Sequence, residues 1–209
     1  MKNVFTFLFA WGLPGMLFAQ LEPGSAKEKS LIDPSREVQV IELSQGWSGI
    51  SSYLDPNEPA VAQLMSAIED KLIILMDFDG SYYQPDSRNN LTEWNVKSGY
   101  FIKMSAGASL EIEGMYPLSS QLDLQEGWNL VPVLDNQPAE VETYFSGHLQ
   151  DIEIITEVAG LKVYWSAKSI FTLQQLIPGR AYLVKALTAF SLFESFSCGD
   201  TLVDSRDGK

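Results

Sequence analysis

Cysteine is almost missing from this chain. One Cys, Cys198, stands in 209 residues, so no disulfide can form within the chain and the fold must rest on its apolar core. Histidine is as scarce. His148 stands alone, which excludes a histidine cluster for a metal, and no Gly-x-Ser-x-Gly elbow accompanies it as a hydrolase would require. Positive charge is short as well: 14 Lys and Arg face 27 Asp and Glu, for a net charge of −13. That balance argues against nucleic acid and anionic membrane surfaces as partners. Beyond the first nineteen residues no apolar run approaches the ~18 residues of a spanning helix, so no membrane insertion is expected.

What is present starts with an export signal. Met1-Lys2-Asn3 is a short basic start, followed by a mostly apolar stretch broken by Gly12, Pro14 and Gly15 and ending at Ala19-Gln20. Residues 1–19 read as a signal peptide, which sends the protein out of the cell or to its surface. Residues 20–37, rich in Pro, Gly, Ser and charge, read as a linker. The remaining apolar content, within an overall 45%, is enough for a packed core rather than a disordered chain.

The organising feature is a phrase that occurs twice. Ile41-Glu-Leu-Ser-Gln-Gly46-Trp47-Ser-Gly-Ile returns as Leu122-Asp-Leu-Gln-Glu-Gly127-Trp128-Asn-Leu-Val. Each copy leads from an alternating strand through a Gly-Trp corner into another apolar run. Asp55-Pro56-Asn57-Glu58 then reads as a helix start, with Asp55 as N-cap and Val61, Leu64, Met65 and Ile68 on one face. In the second copy Asp135 to Pro138 opens a helix with Val141, Tyr144 and Phe145. A β-rich run follows in each. Asp79-Gly80 predicts a type I′ hairpin, with Ala159-Gly160 in its place later. Pro178-Gly179-Arg180-Ala181-Tyr182-Leu-Val-Lys185 matches Lys97-Ser-Gly99-Tyr100-Phe-Ile-Lys103. Repeat 1 is expected over 38–114 and repeat 2 over 115–196, with 197–209 the start of a truncated downstream domain. The predicted fold class is α+β, mainly antiparallel β: two tandem β-rich repeats, each with one helix, packed with pseudo-twofold symmetry.

On these motifs the region from about 38 to 196 resembles the tandem Gly-Trp-type repeats of secreted surface proteins of Bacteroidota-type bacteria. Separately, Cys198-Gly-Asp-Thr-Leu-Val-Asp-Ser-Arg-Asp-Gly resembles the opening of the FISUMP-type (Fibrobacter succinogenes major paralogous) domain. The second resemblance implies that Cys198 pairs inside that further domain. Neither assigns functional residues.

Candidate chemistry is thin. Gly46 and Gly127 are expected to supply backbone turns. Trp47, Trp128, Tyr100 and Tyr182 recur in both copies, which points to core positions, and Trp→Ala at 47 or 128 is expected to cost ~3–5 kcal/mol. Trp94, Tyr82, Tyr83 and Trp165 lack strict partners and lie near loops. They are the candidate ligand-binding residues, with rings able to stack on a sugar. Asp77, Asp79, Asp86 and Asn89 could offer oxygens to Ca²⁺, but without EF-hand spacing they read better as a hairpin turn. His148 occupies a slot on the helix face and reads as half-buried. No catalytic residue, metal or cofactor is expected. The expected function is a non-catalytic extracellular or cell-surface module that acts as a spacer, adhesion or presentation unit, with a glycan or surface protein as partner. The alternative is a carbohydrate-binding module.

Overall fold

The computed structural model describes residues 37–193, all within one compact unit. The expected signal peptide, most of the expected linker, Cys198 and the start of the expected downstream domain lie outside the described residues.

The chain is mostly antiparallel β with short helices. The first half holds β1 (Glu37–Leu43), β2 (Gly46–Ile50), β3 (Asp55–Pro56), α1 (Val61–Met65), β4 (Leu72–Met76), β5 (Tyr82–Tyr83), β6 (Tyr100–Met104) and β7 (Ala108–Met115). The second holds β8 (Gln121–Leu124), β9 (Gly127–Pro132), β10 (Ala139–Glu140), α2 (Val141–Tyr144), β11 (Ile152–Glu157), β12 (Val163–Trp165), β13 (Ile170–Phe171), β14 (Gln175–Leu176), β15 (Ala181–Ala186) and β16 (Phe190–Phe193). The first half forms a sheet in the order β2-β6-β4-β5, and the second one in the order β9-β15-β11-β12-β13. Beside each lies a ladder of the outer strands: β1 on β7, and β8 on β16.

Each half has its own core. Ile50, Leu54, Val61, Met65, Leu75, Tyr100 and Ile102 belong to the first. Val131, Val133, Val141, Phe145, Ile155, Tyr182 and Val184 belong to the second, which also takes in Val96 from the first half. Alternation along the strands supplies these faces. In β1, Ile41 and Leu43 point in while Val38, Val40 and Glu42 point out.

The helices are shorter and begin later than the sequence predicts. Asp55 and Pro56 do not cap α1. They form β3, paired with Met115 and Gly114 at the end of β7. The first free N–H of α1, on Val61, donates to the Thr92 carbonyl at 2.9 Å, and that of α2, on Val141, to the Gln174 carbonyl at 2.9 Å. A backbone partner from a distant loop replaces the side-chain cap in both halves, which no local signal announces. Of the expected face, Val61 and Met65 are buried on α1, Leu64 is half-buried, and Ile68 is buried in the 3₁₀ turn that follows.

The Asp79-Gly80 turn also differs. Asp77 N–H donates to the Ser81 carbonyl at 2.9 Å, so the loop has three residues, and of these only Gly80 is left-handed, at φ 90°. A three-residue loop with one left-handed glycine needs no second positive φ, so Asp79 is spared the strain of a type I′ turn. The Gly-Trp prediction holds for its first member. Gly46 (φ 101°) and Gly127 (φ 97°) both occupy the left-handed region where an L side chain is strained.

The halves meet through small residues. A Cβ on Gly49 would lie 2.2 Å from the Ala181 carbonyl oxygen. A Cβ on Gly99 would lie 2.7 Å from the Ala181 Cβ and 2.9 Å from Leu130 Cγ. Ser51 ties the seam, its N–H donating to the Gly179 carbonyl (3.1 Å) and its Oγ to the Arg180 carbonyl (2.6 Å).

Candidate functional site

Two clefts flank the seam, each formed where a hairpin of one half approaches the first strands of the other. The larger, about 480 Å³, is lined by Asp77 to Asp79, Lys97 to Gly99 and parts of β8 and β9. The smaller, about 200 Å³, is lined by 157–160 and 179–182 from the second half and 41–44 and 47–49 from the first.

Their chemistry differs. In the larger cleft, which Asp79 also lines, Asp77 and Asp123 are engaged by the fold. Asp77 Oδ1 accepts the Ser81 N–H at 2.8 Å and closes its hairpin. Asp123 accepts from Ser191 Oγ (2.6 Å) and Gln121 Nε2 (2.8 Å), and those two hydrogen bonds hold its carboxyl below the usual value. The smaller cleft carries Trp47, Glu157 and Arg180. Arg180 Nη1 stands 3.8 Å from Glu157 Oε1, a loose pair whose arginine is largely exposed.

The four candidate binding aromatics separate into two groups. Trp94 is 3% exposed, donates its Nε1–H to Ser52 Oγ at 2.8 Å and stacks on Tyr100 at 4.3 Å. Tyr83 is 6% exposed and donates to Glu69 Oε1 at 3.0 Å. Both belong to the first core, so neither offers a face to a ligand. Their loop-side positions in the chain hid strand parity: Tyr83 pairs with core residue Leu75 and so points inward. Tyr82 and Trp165 remain half-buried, Trp165 with Lys168 Nζ 5.9 Å from its ring. The structure does not bring the four together.

The recurring tryptophans are corrected in the opposite direction. Trp47 and Trp128 do not plug the cores; they are 42% and 44% exposed. Each faces a lysine across the ladder, Lys103 and Lys185, and Lys103 Nζ lies 5.5 Å from the Trp47 ring. The reason is again parity. Three positions separate Trp47 from core residue Ile50, and three separate Trp128 from Val131, which sets each Trp on the opposite face of its strand. That count was available in the sequence.

The recurring tyrosines are buried, as expected. Tyr100 Oη accepts the Asn95 N–H at 2.7 Å, and Tyr182 Oη accepts the Ile177 N–H at 3.0 Å. Burial raises both hydroxyls above their ordinary pKa. Tyr116 is pushed up to about 12 by burial and then by the Glu37 carboxylate, while Asn136 Nδ2 donates to it at 2.7 Å.

Of the calcium candidates, Asn89 Oδ1 takes the Gln84 N–H at 2.7 Å and Asp77 is committed to Ser81, which fits the turn reading. His148 lies just before a 3₁₀ turn, half-buried, stacked on Phe190 at 4.6 Å and 3.3 Å from Asp151 Oδ2. Among the described residues no group of three or more His, Cys, Asp or Glu is placed to hold a metal, and no helix is long and apolar enough to cross a membrane. Compared with family models, curated proteins and solved structures, the chain finds no match in any of the three.

Proposed function

We propose that this chain is a non-catalytic module of an exported protein, a spacer, adhesion or presentation unit built from two tandem β-rich repeats related by a pseudo-twofold axis. The observation that carries the reading is reciprocity at the seam. Under the sequence offsets, Gly49 corresponds to Leu130 and Gly99 to Ala181. Gly49 abuts Ala181, and Gly99 abuts both Leu130 and Ala181. A contact repeated with its partners exchanged supports an isologous arrangement of the two halves within one chain. The chemistry that recurs in both halves serves the fold: a buried tyrosine hydroxyl satisfying a loop N–H, and a distant carbonyl capping a helix.

Export is tested by producing the full chain with a C-terminal tag in a bacterial host and fractionating the cells. The reading expects the tag outside the cytoplasm on a protein shortened at its start; full-length protein confined to the cytoplasm sinks it. The non-catalytic part is tested with glycoside, ester and peptide substrates, where turnover abolished by one carboxylate substitution refutes it.

A second reading, carbohydrate binding, is favoured by exposed indoles at Trp47, Trp128 and, in part, Trp165. An exposed tryptophan gains no full burial from the fold, and its flat apolar face suits a sugar ring.

A further inference from the structure

We propose that the smaller cleft, between the β11–β12 hairpin and β2, binds one ring of a neutral saccharide, with Trp47 as the stacking wall and Arg180 and Glu157 as the hydroxyl-binding pair. The inference rests on the carbohydrate-binding reading and places the site on side chains other than the four loop-side aromatics.

Three observations carry it. The first is the shape of β2 beside its tryptophan. The neighbour on the same face of the strand is Gly49, which has no side chain to lean on the indole and can acquire none, since the Ala181 carbonyl oxygen fills that space. The ring therefore stands at the cleft wall with more than two-fifths of its surface open. The second is the pair opposite. Arg180 presents five N–H donors, of which a single 3.8 Å approach to Glu157 engages few. Glu157 in turn spends Oε2 on the Lys162 N–H at 3.4 Å, a long bond that leaves acceptor capacity. A guanidinium and a carboxylate side by side offer donors and acceptors to adjacent hydroxyls of one sugar. The third is the other cleft, which serves as an internal control. Asp77 and Ser98 stand at the positions of Glu157 and Arg180. Asp77 closes its own hairpin, and Ser98 hydrogen-bonds Tyr100. The equivalent of Trp47, Trp128, is not among the residues lining that cleft. Fold maintenance therefore accounts for Asp77 and Ser98 at these two positions, and although Phe78, Asp79 and Lys97 also line that cleft, no indole stands in its wall as Trp47 does in the other.

The charges decide the ligand class. Two cations, Arg180 and the Lys103 that lies over the Trp47 ring, stand beside Glu157 and the nearby Glu42, so the site itself carries no excess of either sign, and on a chain of net charge −13 a neutral sugar suits it better than a charged one.

The test is a titration of the full exported chain with neutral cello-, xylo-, manno- and malto-oligosaccharides, read by tryptophan fluorescence and by saturation-transfer NMR. Binding by at least one is expected, weakened roughly tenfold or more by Trp47→Ala and by Arg180→Ala. Arg180 is exposed, so its variant decides the matter if Trp47→Ala lowers the melting temperature. Binding that survives Trp47→Ala and Arg180→Ala overturns this cleft while leaving the carbohydrate reading in place. No binding of any of the four classes overturns both.

Discussion

Set side by side, the two halves agree at their buried tyrosines, their helix caps and their outward tryptophans, and part company at the seam and in the clefts beside it. Tyr100 and Tyr182 hold the same kind of loop N–H, and Val61 and Val141 receive the same kind of distant cap. At Ser51 the correspondence breaks. Its N–H reaches the Gly179 carbonyl, whereas the matching position is Pro132, which has no N–H to give. Ser48 and Asn129 also diverge. Ser48 Oγ is buried without a partner, while Asn129 exchanges bonds with Gln125 and donates to Gly127. The difference teaches how to separate fold from function in a chain of this kind. Shared buried chemistry maintains two similar cores, and unshared open chemistry, such as Arg180 beside Glu157, asks for another explanation.

The seam offers the severest test of that comparison. Gly49→Ala drives a carbon into backbone that cannot rotate away, and should cost about 3 kcal/mol or prevent folding, read by urea denaturation. The same change at Leu130, across the proposed axis, should cost roughly 2–5 kcal/mol, for the opposite reason of a cavity. Gly99→Ala should cost about 1–3 kcal/mol and be partly rescued by Ala181→Gly, because the two Cβ positions compete for one space. Absence of any rescue breaks the reciprocal seam.

The tyrosines come next. Tyr100→Phe and Tyr182→Phe each leave a loop N–H without its partner and should each cost about 1–3 kcal/mol. Clearly unequal costs would show that the halves share geometry without sharing its energetics. A pH titration reads the same groups collectively. Tyr53, Tyr83, Tyr100, Tyr116, Tyr164 and Tyr182 all have raised pKa values in the fold, with burial the leading cause in each. The folded state holds these protons more tightly than the unfolded chain. Their contribution is therefore complete below pH 10 and is lost as pH climbs toward the folded values, about 12 for Tyr116. Stability that stays flat above pH 10 would contradict it.

The exposed tryptophans should matter less than their recurrence implies. Trp47→Ala and Trp128→Ala are expected to cost about 1–2 kcal/mol, because nearly half of each ring never leaves water. Smallest of all is Ser48→Ala, which removes an unsatisfied buried hydroxyl and should be neutral or slightly stabilising, while Asn129→Ala loses its hydrogen bonds and should not.

Much of the fold was legible because it is written in alternation and in glycine. The strands at Tyr100–Met104 and Glu37–Leu43 follow the apolar pattern, and Gly46 and Gly127 mark left-handed backbone. What escaped depends on partners far along the chain. Nothing near Asp55 says that it will pair with Met115, so its capping signature misled. The candidate site was misjudged for a related reason. Recurrence identifies Trp47 and Trp128 as paired positions but not which way they face, and nearness to loops does not mean exposure for Trp94 and Tyr83. Arg180 and Glu157 lie more than twenty residues apart, and only the antiparallel pairing of β11 with β15, which sets Glu157 opposite Tyr182, makes them neighbours.

The close approach of Gly99 to Ala181 has a consequence for how such a chain can change. If the two halves descend from one unit, as proposed, they are free to drift independently almost everywhere, since each has its own core. At the axis they are not. An added carbon at position 99 occupies the room that the methyl at 181 already uses, so the two sites share one allowance of volume. A substitution at either becomes permissible only after the other has shrunk. The order of mutations at these two sites, and not only their identity, is then constrained, while the surfaces on either side can change one residue at a time.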